Sequence, residues 1–181
     1  MDYRNDNCSR RRLNRALEMK ADIVHGVAGE TFLRELTFHH IGYLVLDISA
    51  AASKLVRSFG YSIESEVIED KTQTAHVQFL RQPGSPFWIE LITPNGSGSK
   101  LAGALQKGIV LHHLCYEANT LEKTSEKLRN DGFLQLSAPM PAEAFVGRRI
   151  TWLMDRTGFL VELVEAGGPP FSVSELIGTK E

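Results

Sequence analysis

Two stretches of this chain read as copies of each other. Phe38-His39-His40-Ile41-Gly42-Tyr43 is answered by Leu111-His112-His113-Leu114-Cys115-Tyr116. From His40 and from His113, 50 and 49 residues on, a single glutamate sits inside an apolar run: Trp88-Ile89-Glu90-Leu91-Ile92 and Leu160-Val161-Glu162-Leu163-Val164. The histidines repeat at 73 residues and the glutamates at 72. A lone Glu among aliphatics ordinarily lies on a solvated strand face, and a lone strand His is ordinarily a hydrogen-bonded core residue. Two of each, recurring with one period, point instead to a duplicated unit whose halves each give one His and one Glu to a shared metal site.

The intervening chain follows the same period. Phe38–Leu46 reads as a strand. Asp47–Phe59 reads as a helix with Ile48, Ala51, Ala52, Leu55 and Val56 on one face, ended by Gly60. Tyr61–Ile68, Thr74–Arg81 and Phe87–Thr93 read as strands separated by turns at Glu69-Asp70-Lys71 and Gln82-Pro83-Gly84-Ser85. After a Gly- and Ser-rich linker and a short helix at about Lys100–Gln106, the order returns. Ile109–Glu117 is a strand and Thr120–Asn130 a helix with Leu121, Thr124, Ser125 and Leu128 inward. Phe133–Ser137, Arg149–Asp155 and Phe159–Glu165 are strands. The fold class is therefore α+β, with two tandem βαβββ modules at 38–94 and 109–166 joined by a linker at 95–108. The irregular stretch Ala138–Gly147 is long enough to carry function. Residues 167–181 read as a surface-lying or flexible tail. Residues 1–37 read as a helical arm, capped by Ser9 and carrying Arg10, Arg11, Arg12 and Arg15, whose apolar stripe suits packing on its own domain or on a second subunit. Its acids, Asp2, Asp6, Glu18 and Asp22, argue against a mitochondrial transit peptide.

Strand alternation assigns faces. His40, Gly42 and Leu44 share one side of the first strand, and His113 and Cys115 share the matching side of its counterpart. Ile89 and Leu91, like Val161 and Leu163, flank a Glu that must point the other way. His40, Glu90, His113 and Glu162 are thus expected on the face away from the helices. By the same alternation His39 and His112 are expected on the helix side or its rim, in structural roles.

Composition excludes several partners. A net charge of −2, from 20 basic and 22 acidic residues, gives no field that would hold nucleic acid or an anionic membrane. Cys8 and Cys115 form no CxxC motif, which suits a reducing cytoplasm rather than a disulfide framework. No apolar run approaches the roughly 20 residues of a membrane helix, and no secretory signal is visible.

At His39-His40-Ile41-Gly42, Ile89-Glu90-Leu91-Ile92-Thr93-Pro94, the Ser99-Lys100-Leu101-Ala102 segment, Leu111-His112-His113 and Gly158-Phe159-Leu160-Val161-Glu162-Leu163, the chain resembles the vicinal oxygen chelate superfamily. That superfamily includes glyoxalase I, extradiol dioxygenases, fosfomycin-resistance proteins and methylmalonyl-CoA epimerase, and the likeness is greatest to the epimerase. The resemblance implies one cup-shaped mixed sheet built from both modules and a metal held by His40, Glu90, His113 and Glu162. It also implies a homodimer. It departs from the epimerase pattern at Pro141–Arg149, where a glycine-rich turn is replaced. It departs again near Gln78, where some epimerases carry a proton-transferring carboxylate.

Two imidazoles and two carboxylates suit Co, Ni, Zn, Mn or Fe. Such a site implies a metal-dependent epimerase or isomerase that moves a proton next to a carbonyl of an acyl-CoA or other thioester, with Glu162 or Glu90 taking the proton. Arg148 and Arg149, at the junction of the long loop and a strand, are candidates for a substrate carboxylate or phosphate, with Gln78 a further substrate-binding candidate. A glyoxalase-like lyase acting on a thiol adduct, an extradiol dioxygenase, and a metal-free drug-binding cup remain open.

Overall fold

The structure, a computed structural model, describes residues 36–171. The N-terminal arm and the end of the tail lie outside the described residues, and so does the interface expected of the arm. Strand β1 spans Leu36–Leu44 and is followed by helix α1, Ile48–Phe59. Asp47 caps α1 by accepting from the Ala50 N–H at 2.9 Å, and Gly60 ends it in the left-handed region at φ 69°. Strands β2 (Ser62–Ile63), β3 (Ile68–Asp70), β4 (Ala75–Arg81) and β5 (Trp88–Pro94) complete the first module. A short helix α2, Ala102–Gln106, leads to the second: β6 (Leu111–Ala118), α3 (Leu121–Asn130), β7 (Leu134–Gln135), β8 (Met140–Pro141), β9 (Arg149–Met154) and β10 (Leu160–Glu165).

These strands form one mixed sheet in the order β2-β4-β5-β1-β6-β10-β9-β7, with β3 and β8 at its margins. Each module contributes four consecutive strands, and the halves meet where β1 and β6 run antiparallel. The sheet is curved. On its helix side Ile48 and Ala52 of α1 pack with Leu80 and Leu91 of the sheet, and Leu121 of α3 packs with Leu153, Val161 and Leu163. The opposite, enclosed side gathers Leu44, Val77, Phe79, Ile92, Phe145, Ile150 and Val164. Apolar residues thus line both faces. Among the described residues no helix is long and apolar enough to cross a membrane.

Several expectations differ from what forms. The strand read over Tyr61–Ile68 is two short strands, because Ser65 breaks the ladder: its Oγ accepts from the Phe79 N–H and its carbonyl from Gln78 Nε2. The turn read at Glu69-Asp70-Lys71 falls later. Asp70 Oδ1 accepts from the Gln73 N–H at 2.9 Å, folding the chain over 71–74. The stretch read as irregular holds β8 and a 3-10 turn at Glu143–Phe145 that buries Phe145.

The chain beyond β10 also reaches the core. Phe171 is 3% exposed, stacked on Phe79 at 4.5 Å between ring centroids and edge-on to Trp88. Arg148 holds this segment by donating to the carbonyls of Glu165 and Pro170. Phe171→Ala is expected to cost about 3–5 kcal/mol in denaturant unfolding. A change below about 1 kcal/mol would show that the ring adds little to the core.

Asp70 links the modules, since its Oδ2 accepts from the Ala144 N–H at 3.3 Å. Burial, aided by Glu143 and opposed by the Gln73 and Ala144 amides, raises its carboxyl from 3.8 to about 7. The fold therefore holds a proton there that the unfolded chain releases near pH 4, so the contribution of Asp70 to stability falls as pH rises from about 4 to about 7, opposite in sign to that of the buried histidines. Asp70→Asn is expected to remove that contribution, so that in thermal scans the variant gains stability relative to the unaltered protein as pH rises through the window. A stability difference between the two proteins that does not change with pH would remove Asp70 as a source.

Candidate metal centre

Four neighbouring strands, β5-β1-β6-β10, carry Glu90, His40, His113 and Glu162 respectively. The register explains why they converge. Gly42 pairs with Glu90 on one side and His113 on the other, while Cys115 pairs with His40 and Glu162. Each small residue stands two places after a histidine, at equivalent points of the two modules. Gly42 is required to be small: a Cβ there would lie 2.2 Å from His113 Cε1 and 2.3 Å from its Nδ1. The His113 ring rests on the bare backbone of β1.

The four side chains are 0–5% exposed. His40 Nε2 and His113 Nε2 are 2.9 Å apart. Glu90 Oε2 lies 3.3 Å from His40 Nε2 and 3.5 Å from His113 Nε2. Glu162 Oε2 lies 3.5 and 3.4 Å from the same atoms. Ligands bound about 2.0–2.2 Å from one cation stand about 3.0–3.5 Å apart when adjacent, and these five separations are of that size. The Oε2 of Glu162 is buried without a hydrogen-bond partner, which an ion would supply. The donor set fits a divalent ion: two carboxylates cancel its charge and two neutral imidazoles add none.

Burial dominates the electrostatics. It lowers His40 to about 4, a shift that Glu162 only partly offsets. It raises Glu90 to about 8, opposed by His113 and reinforced by the charge of Glu162. For Glu162 burial acts upward too, but His113, His40 and the Cys115 thiol more than offset it, and the carboxyl stays below its usual range. Cys115 is itself pushed well up by burial and by Glu162, so it remains a neutral thiol that donates to Glu162. Phe79 and Phe145 cover His40 at 5.5 and 5.9 Å, and Trp152 meets His113 edge-on at 4.8 Å.

Glu90, His113 and Glu162 line the wall of a cavity of about 370 Å³. Its other surfaces are mainly apolar, among them Val77, Ile92, Met140, Phe145, Ile150 and Trp152, with Lys100 and Asp70 also in its lining. That is the size and character of a small-molecule site.

Other residues singled out in the sequence lie elsewhere. Gln78 faces the helix side of β4 with Leu80 and donates to the Ser65 carbonyl, whereas Val77 and Phe79 face the enclosed side. Arg148 is committed to Glu117 at 2.9 Å and to the carbonyls of Glu165 and Pro170. Arg149 pairs with Glu165 and Glu122. None of the three lines the cavity.

His39 and His112 are not on the helix side. Each is the extra residue of a β-bulge: the β1–β6 ladder runs from Phe38 to His40 and from His113 to Leu111, leaving 39 and 112 without cross-strand partners. The bulges interrupt the alternation and put His39 beside His40 and His112 beside His113. Burial, with the neighbouring ligand histidine, lowers both to about 4. Gly42, Cys115 and the cavity carboxylate Asp70 were not assigned roles from the sequence. For the first two the signal was present, as a small residue two places after each histidine pair.

The profile of the Glyoxalase/Bleomycin resistance protein/Dioxygenase superfamily matches residues 39–152, and the chain belongs to that superfamily. Among the proteins it is similar to are acyl-CoA epimerases. The chain is 30% identical over 129 residues to the ethylmalonyl-CoA/methylmalonyl-CoA epimerase of Cereibacter sphaeroides, covering 69% of this chain and 94% of that one. Among solved structures, the methylmalonyl-CoA epimerase of Mycobacterium tuberculosis shares the fold with a TM-score of 0.64 at 24% identity, over 72% of this chain and 88% of that one. The Streptomyces coelicolor methylmalonyl-CoA epimerase in complex with 2-nitronate-propionyl-CoA does so with a TM-score of 0.63 at 22% identity, over 72% and 97%.

Gly42→Ala is expected to displace His113 and weaken zinc binding at least tenfold, roughly the effect of losing a supporting residue. Competition with a chromophoric chelator reads this, and unchanged affinity would show that His113 does not depend on the missing Cβ.

Proposed function

We propose that this chain is a divalent-metal-dependent epimerase or isomerase that moves a proton next to the carbonyl of an acyl-CoA or other thioester. The observation that carries the reading is the buried His40–Glu90–His113–Glu162 cluster in the wall of a mainly apolar cavity. The similarity to a curated ethylmalonyl-CoA/methylmalonyl-CoA epimerase supports the thioester.

The four residues would hold the ion, with Co, Ni, Zn, Mn and Fe all compatible with the donors. When bound, a divalent ion supplies Lewis acidity toward a carbonyl oxygen, easing loss of the proton on the adjacent carbon. The chain does the rest. The apolar lining excludes water and holds an acyl group. Glu90 and Glu162 come from β5 and β10, on opposite sides of the central strands that carry the histidines. One carboxylate thus stands on each flank of the site, which suits a reaction that removes a proton from one face of a carbon and returns it to the other. Gln78 takes no part, because it faces away from the cavity.

Metal-loaded protein in D₂O with methylmalonyl-CoA is expected to incorporate deuterium at the α-carbon, followed by mass spectrometry. His40→Ala and Glu162→Ala are expected to lose both metal and exchange while keeping a folded far-UV spectrum. Protein that holds one ion and catalyses no exchange, yet turns over a hemithioacetal, would replace this reading with the lyase one. Full metal occupancy in both variants would remove the ligand assignment.

A further inference from the structure

We infer that His39 and His112 are positioning residues, each fixing the tautomer and orientation of the ligand histidine that follows it. This inference rests on the metal-centre reading above. His39 Nδ1 is 2.8 Å from His40 Nδ1, and His112 Nδ1 is 3.0 Å from His113 Nδ1. The contact recurs in both modules, between the same ring atoms, at the two bulged positions of the β1–β6 ladder. A hydrogen bond between two imidazole nitrogens holds one shared proton, so one ring donates and the other accepts.

The direction follows from the site. The Nε2 atoms of His40 and His113 are the ones that face each other and the two carboxylates. A neutral imidazole that offers a lone pair from Nε2 must carry its proton on Nδ1. His40 and His113 are then the donors and His39 and His112 the acceptors. If the partners donated instead, a neutral ligand ring would carry its proton on Nε2, where it blocks coordination. The partner histidines are themselves held in place. His39 lies against Trp88 at 4.9 Å and edge-on to Phe145 at 5.7 Å, and His112 lies edge-on to Trp152 at 6.0 Å. A metal-bound histidine usually donates its second ring nitrogen to a carboxylate, a carbonyl or water. Here a second imidazole, delivered by a bulge, takes that place in each half of the molecule.

The test uses side chains that imitate one ring nitrogen. The amide oxygen of Asn falls where Nδ1 of His does, and that of Gln falls nearer Nε2. Cobalt(II) binding is measured by chelator competition on the full chain and on His39→Ala, His39→Gln and His39→Asn, with the same three changes at His112. Ala and Gln are expected to weaken cobalt(II) binding about 10–100-fold while leaving one ion per chain at saturation, and Asn is expected to restore it. Proton NMR of the cobalt-loaded protein gives a second readout. The exchangeable, hyperfine-shifted Nδ1–H of His40 should vanish or exchange faster in His39→Ala and return in His39→Asn, with His113 following the His112 series. The less buried His112 series keeps the test open if a His39 variant fails to fold. Equal affinities and unchanged ring protons in all variants would overturn the inference, as would equal losses with Asn and Gln, which would indicate packing alone. Failure of the unaltered protein to bind cobalt(II) would instead overturn the metal-centre reading, and this inference with it.

Discussion

Two buried histidines 2.9 Å apart, each 3.3–3.5 Å from two buried carboxylates, are the constraint on which the rest of this fold turns. Removing a carboxylate from water costs several kcal/mol, and two such groups beside each other cost more. The pressure is visible in the metal-free electrostatics, where burial pushes His40 down to about 4 and Glu90 up to about 8. Apolar residues could have filled these positions, as they do at Leu44, Ile92 and Val164 around them. A cluster of this composition becomes favourable when one divalent cation neutralises the two carboxylates and occupies the imidazole lone pairs.

Much of the surrounding structure serves that cluster. The modules meet along β1 and β6, so each gives one histidine to the seam and one glutamate to the strand beside it. Gly42 clears the space that the His113 ring occupies, and Cys115, its counterpart, stands between His40 and Glu162. Phe145 comes from the 3-10 turn after β8 to cover His40, and Phe171 returns from beyond β10 to cover Phe79. The cavity then opens onto Glu90, His113 and Glu162, among otherwise mainly apolar walls.

The sequence exposes the duplicated architecture well, because period-2 alternation and a repeat near 73 residues reinforce each other. The convergence of His40, Glu90, His113 and Glu162 follows from strand alternation and the repeat, both local in origin. Alternation fails where the ladder does. His39 and His112 are the two residues that bulges insert, and a bulge reverses the facing of one residue without any signal in residue type. The split at Ser65 has the same origin, a hydrogen-bonding serine that a run of strand-forming residues conceals. Long-range packing escaped as well. Arg148 and Arg149 have the composition of an anion site, but Glu117, Glu122 and Glu165, brought near by the fold, already engage them. Phe171 lies past a Gly-Gly-Pro-Pro run that marks the end of a strand without revealing that the next aromatic turns back into the core.

The superfamily to which the chain belongs is shown by its profile match, and the epimerase reading adds the chemistry that this site and cavity support. All of that reading depends on whether one ion sits among these four side chains. Anomalous scattering from a crystal grown with cobalt or zinc tests this most directly. One strong peak per chain, about 2.0–2.2 Å from His40 Nε2, His113 Nε2 and an oxygen each of Glu90 and Glu162, is the expected result. A peak elsewhere, or none there in crystals from metal-saturated protein, would contradict it.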